Sequence, residues 1–269
     1  MSLASLRHAA NYDLIFFIVF FAHCMPHRLI IHKPSFSASL THERVPQYLI
    51  LALCALAAPW CKDFASTAPM PRLAGVPFFQ EAVNLMFDAS GRLLSEPSLA
   101  TAQALCLLEM HEIAASHSWT KHYRYFGKFK ITKLPIESAL MASIRPHQLR
   151  DVTTELASYA QRGNQLHSAP GAFDLPDLAL KVLEDALEVH KPDNPIFIAG
   201  LEPVAARQYN IERECTRRCF WLVQSMEWIN GIYTYRQMRP RSAELMKALP
   251  LPVDENSFEL GRAAQKPGE

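Results

Sequence analysis

Glycine is scarce, with nine residues in 269. Phosphate-cradling loops and nucleophile elbows need closely spaced glycines. No G-x-G-x-x-G, G-x-x-x-x-G-K-[ST] or G-x-S-x-G pattern occurs. That removes the common nucleotide-binding loops and the serine-hydrolase elbow. Cysteine is also sparse and never forms a C-x-x-C pair. Cys24, Cys54, Cys61, Cys106, Cys215 and Cys219 lie mostly in apolar helical context. They read as buried reduced thiols rather than disulfides. Excess charge is missing too: the net charge is +1, and Lys and Arg are spread along the chain among Asp and Glu. The chain therefore carries no basic footprint of the kind that binds nucleic acid. Its most apolar run, Leu14 to Ala22, is shorter than the roughly 20 residues that a membrane span needs. There is no internal repeat and no low-complexity tract.

What is present is apolar and helical. Hydrophobic residues make up 49% of the chain, enough for a sizeable core. Alternating β-branched runs are absent, and the apolar segments follow the helical period. The fold expected is all-α, a multi-helical orthogonal bundle in one domain. Pro46 opens a helix through Ala58 that is apolar on all sides, and Pro59 ends it. A third helix starts at Pro77, with Phe78, Ala82, Leu85, Met86, Ala89 and Leu93 as its inner stripe. Ser95 to Ser98 form a turn and cap. Leu99, Ala102, Cys106, Met110 and Ile113 follow at helical spacing. Asp174 is the expected cap of a helix whose inner face is Leu175, Ala179, Val182, Ala186 and Val189. Asn210 is the expected cap of another, with Ile211, Cys215, Leu222, Met226 and Ile229 in one stripe.

The most distinctive stretch runs from Glu212 to Trp221. It combines a charged first turn, the pair Arg217-Arg218 and then Phe220-Trp221. Downstream come Arg239-Pro240 and a Leu-Pro-rich acidic exit, Leu249 to Glu255, containing Pro252 and Asp254. Upstream, an aromatic run leads into His23-Cys24-Met25-Pro26 and His32-Lys33-Pro34-Ser35-Phe36. Ser98 to Leu108 then read as an alanine- and leucine-rich helix, followed by Trp119, Tyr123 and Gly127. In that order these pieces closely resemble the fungal-specific transcription factor regulatory domain. This is the middle homology region of zinc binuclear-cluster factors, also labelled after xylanolytic activators.

The resemblance implies residues 13–260 as the domain, flanked by an N-terminal tail of residues 1–12 and a disordered tail of residues 261–269. Residues 128–173 break the family spacing, as a surface insertion or an error in the gene model. Arg217, Arg218, Phe220, Trp221, Arg239, Pro240, Pro252 and Asp254 carry the motif, in structural roles. It implies a nuclear regulator of RNA polymerase II transcription, not an enzyme. Its partners would be proteins: an identical chain or transcription machinery. The family's zinc cluster packs six cysteines into about thirty residues. Here the six lie between positions 24 and 219. The DNA-binding domain is thus expected to be missing from this chain, with no cofactor of its own and zinc and DNA binding only at family level.

Other chemistry falls away on geometry. His111-Glu112 opens like H-E-x-x-H, but Ala115 holds the fifth position and the next histidine is His117. Six residues turn a helix by about 600°, leaving the two rings about 120° out of alignment. His23 and His27 have i, i+4 spacing, but Pro26 between them ends the helix, and both read as turn histidines satisfied by backbone. Arg217 and Arg218 point about 100° apart on a helix, so they cannot form one clamp. One is expected to pair on the surface and the other to tie the helix to a neighbour. Trp221 and Phe220 are both expected in the core. Two readings stand beside the regulatory one. The first is a secreted or membrane-associated helical protein led by Leu14 to Ala22. The second is an all-α enzyme without a readable motif.

Overall fold

A computed structural model describes residues 12–115, 175–193, 195–234 and 249–262. Among these residues the chain is helical and contains no strand; an isolated bridge joins Phe87 and Leu93. The segment 128–173, the residues Trp119, Tyr123, Gly127, Asp174, Arg239 and Pro240, and the side chain of Ile229 lie outside the described set. The helices are α1 (Tyr12–His23), α2 (Lys33–Thr41), α3 (Gln47–Ala57), α4 (Lys62–Thr67), α5 (Val76–Met86) and α6 (Leu99–Ala114). After these come α7 (Leu175–Lys181), α8 (Pro195–Ala199), α9 (Pro203–Thr234) and α10 (Glu255–Glu259). Short 3-10 turns at His27–Ile30, Ala58–Trp60 and Pro71–Leu73 link the early helices.

The all-round apolar helix α3 sits in the middle, against α1, α5 and α6. Every residue from Leu51 to Ala57 is buried. Its alanines let neighbours come close, and one approach is extreme. A Cβ built on Gly75 would stand 1.9 Å from the Ala55 carbonyl oxygen. Gly75 has φ −80°, so its role there is the missing side chain rather than an unusual backbone. On α1, Phe16, Phe17, Phe20 and Phe21 turn inward, while Leu14, Ile15 and Ile18 stay exposed. Burial of each phenylalanine is worth about 1.5–3 kcal/mol. The apolar N-terminal run is thus part of the core. Among the described residues no helix is long and apolar enough to cross a membrane.

Three sequence expectations move in register. Helix α5 stops at Met86, so Ala89 lies beyond it, and Leu85 faces outward. Asp88 ends the helix: its Oδ1 accepts from Ser90 N (2.9 Å), Ser90 Oγ (2.6 Å) and Arg92 N (2.9 Å), with Gly91 at φ +85°. Helix α7 widens into a π turn over Val182–Ala186, where Leu187 N donates to Val182 O at 3.0 Å. That extra residue per turn brings Leu183 inside and leaves Ala186 outside. Helix α9 begins at Pro203, so Asn210 lies inside it and does not cap it. Proline suits a first helical position, where its missing N–H costs nothing.

Candidate functional site

Helix α9 crosses α6 and the His27–Ile30 turn. Its inner face is Ile211, Cys215, Cys219, Phe220, Val223 and Met226, while Leu222 is half-buried. Set into this apolar face are three charges: Glu214 is 2% exposed, and Arg217 and Arg218 are 5% each. Sequence spacing placed one arginine on the surface. Both are buried instead, because Glu214 lies three and four residues before them and accepts from both. Arg217 Nη1 donates to Glu214 Oε2, and Arg218 Nε donates to Glu214 Oε1 at 2.8 Å. The side chains diverge as helical geometry requires, and one carboxylate with two oxygens spans the gap.

Each guanidinium then reaches a different part of the chain. Arg217 Nη2 donates to Asp193 Oδ2 at 3.1 Å, and Arg213 Nε donates to Asp193 Oδ1 at 2.8 Å. Arg213 also donates to the carbonyls of Leu187 (3.2 Å) and Lys191 (2.6 Å). These two arginines fasten the loop that follows α7. Arg218 works in the other direction. Its Nη1 donates to Leu29 O (3.2 Å) and Glu255, and its Nη2 donates to Val253 O at 2.7 Å. Its guanidinium lies 3.9 Å from the ring centre of Phe258. Arg218 thus ties α9 to the N-terminal turn and to the exit segment. Val253 N closes the loop by donating to Glu214 Oε1 at 2.9 Å.

The rest of the exit segment is held in the same way. Trp221 is half-buried, and its Nε1 donates to Pro250 O at 3.0 Å. Phe220 is the fully buried member of the pair; Trp221 covers the exit from outside. Pro252 is exposed in the extended stretch. Asp254 caps α10, accepting from Ser257 N at 3.0 Å. The bonds from the Ser257 side chain and backbone hold its carboxyl below the usual range. His32 meets the exit from the other side. Its Nδ1 caps α2 by accepting from Ser35 N at 3.3 Å, and its Nε2 donates to Glu259 O at 3.2 Å. Its ring packs edge-on against Phe258 at 5.0 Å.

The arrangement is a charge-balanced lattice of three arginines and three carboxylates: Glu214, Arg217 and Arg218 are its buried centre, Arg213 and Asp193 are half-buried, and Glu255 is exposed. Arg218 alone has four of its five N–H donors engaged. That leaves the pair to hold structure rather than bind a phosphate or carboxylate. Asp193 and Glu255 escaped the sequence reading, whereas the pairing of Glu214 with Arg218 was legible from their i, i+4 spacing. The signal for Glu214 was its spacing ahead of both arginines; Asp193 and Glu255 come from distant segments. The other candidates are also placed. All six cysteines are free and buried. His23 is exposed and stacks on Trp60 at 5.2 Å. His27 is buried, and its Nε2 has no hydrogen-bond partner, so backbone does not satisfy both ring nitrogens. Among the described residues no group of three His, Cys, Asp or Glu side chains is placed to hold a metal ion.

Residues 17–135 match the model of the family described as the fungal specific transcription factor domain. A relative from Schizosaccharomyces pombe, named as an uncharacterized transcriptional regulatory protein, is 32% identical over 83 residues. That stretch is 31% of this chain and 8% of the relative, so only a small part of the relative's length is spanned. No solved structure matches the chain. The arginine lattice on α9 lies beyond the matched residues, but it is fastened to them through Leu29. Over residues 17–135 the chain is thus similar to the fungal specific transcription factor domain.

Proposed function

We propose that this chain is a regulatory domain that acts in RNA polymerase II transcription in the nucleus, through contacts with other proteins. Sequence-specific DNA reading is supplied by something other than the residues of this chain. The observation that carries the proposal is the domain match over residues 17–135. The relative's name points the same way. The near-zero net charge and the six free, buried thiols support a role without base reading of its own. The burial of four α1 phenylalanines favours a core helix over a secretory signal core.

Partner contact falls to the outer face of α1, where Leu14, Ile15 and Ile18 are exposed, with Trp60 nearby through its stack on His23. The exit segment is less available than its sequence suggests, because Leu249 and Phe258 are buried and Val253 is bonded to α9. The test is a fluorescent fusion together with a duplex titration. The reading predicts nuclear fluorescence and weak duplex binding, lost between about 50 and 200 mM salt. Fluorescence along the secretory route, or nanomolar salt-resistant preference for one duplex over a scrambled one, would overturn it.

A further inference from the structure

A cleft of about 230 Å³ lies between α2, the Arg44–Pro46 turn, the start of α6 and α9. Its floor is apolar and buried, made by Ile31, Phe36, Leu49 and Ile211. Two charged side chains, Arg44 and Glu212, also line it. Glu212 is engaged, since its Oε1 accepts from Gln208 Nε2 at 2.8 Å. Arg44 is different: its backbone N–H donates to Ser39 O at 2.9 Å, but among the described residues its exposed guanidinium has no hydrogen-bond or ion-pair partner. Glu43, just before it, has φ +53°, the left-handed position where helices normally end in glycine. A glutamate in that conformation stores backbone strain, and strain of this kind clusters at ligand clamps. The turn it makes puts a free cation on the wall of an apolar cleft.

We propose that this cleft binds a small aliphatic monocarboxylic acid, with its chain on the Ile31–Leu49–Ile211 floor and its carboxylate paired with Arg44. Among the described lining residues Arg44 is the one free cation, and it selects one acid group. The Glu212 charge disfavours a second anion at the cleft. A single water needs about 10–15 Å³ in the same measure, so the cleft has room for a short-chain acid such as hexanoate. Small, largely apolar clefts with a few placed polar groups are the usual form of such sites. The inference stands on the cleft alone and does not depend on a role in transcription.

The test is isothermal titration of the full chain with hexanoate, and with 1-hexanol and hexylamine as counter-probes. Hexanoate is expected to bind, 1-hexanol about tenfold more weakly, and hexylamine not at all; a charge-assisted bidentate pair accounts for a factor of that order. Arg44→Gln, at an exposed unpaired side chain, is expected to fold normally, to weaken hexanoate about tenfold and to leave 1-hexanol unchanged. Ala100→Phe, which fills the cleft from α6, removes both. No heat from hexanoate up to about 10 mM, affinity unchanged by Arg44→Gln, or hexylamine binding as well as hexanoate would overturn the proposal.

Discussion

At the residue scale the central fact is that two adjacent arginines on a helix are both buried by one carboxylate. Removing one partner from a buried ion pair leaves an uncompensated charge, which costs about 3–5 kcal/mol. Glu214→Ala and Arg218→Ala are each expected to lower stability by about that amount in urea titrations. A change of under about 1 kcal/mol, typical of surface pairs, would mean that the lattice is solvated. The neighbouring aromatics separate in the same measurement. Phe220→Ala is expected to cost about 3–5 kcal/mol, as large core truncations do. Trp221→Ala is expected to cost less, and Trp221→Phe about 1 kcal/mol through the lost bond to Pro250. Equal costs for the two alanine variants would contradict the half-buried placement. His27 gives a pH signature. Burial lowers its pKa from 6.5 to about 4. The folded state thus resists protonation that the unfolded chain accepts. The stability tied to His27 is complete above about pH 6.5 and is lost as pH falls toward 4, by about 3 kcal/mol at the limit. His27→Gln should flatten that part of the stability–pH curve; an unchanged slope between pH 6.5 and 4 would show that the ring is solvated.

At the element scale, sequence patterning located most of the described helices and mistook their ends. Helix α3 was legible because it is apolar on every side, and Ser98 was legible as the cap of α6, where its Oγ accepts from Thr101 N at 3.2 Å. The end of α5 was not, because the apolar period runs on through Ala89 while the Asp88–Gly91 turn has already taken the chain out of the helix. Ala186 was misplaced because a π turn changes the angular step, which a pattern of constant period cannot register. Asn210 looked like a cap, but the polar turn before it continues helically from Pro203. Gly75 carries no sequence signal of its own, and its importance appears only where α3 passes it. Gly75→Ala must push the α3 backbone away, so it is expected to destabilise the fold by at least about 2 kcal/mol in thermal or urea unfolding. Wild-type stability in that variant would mean that the two segments do not meet as described.

At the scale of the whole molecule, the sequence made the motif visible but not its purpose. Arg217, Arg218 and Trp221 could be read as a group, whereas the partners that explain them come from Leu29, Asp193, Pro250, Val253 and Glu255. Contacts across such distances leave no local pattern, so the lattice needed three dimensions to be seen. Its effect is to lock α9 and the exit segment onto the matched residues, while Leu14, Ile15 and Ile18 stay exposed on the outer face of α1. The most direct test of the transcriptional reading is a tethering assay. The full chain is fused to an unrelated DNA-binding domain, and output from a reporter gene carrying its sites is measured. The account predicts a clear change in output relative to the DNA-binding domain alone, and its loss with Ile18→Glu at unchanged protein level. Output identical to that of the DNA-binding domain alone would contradict it.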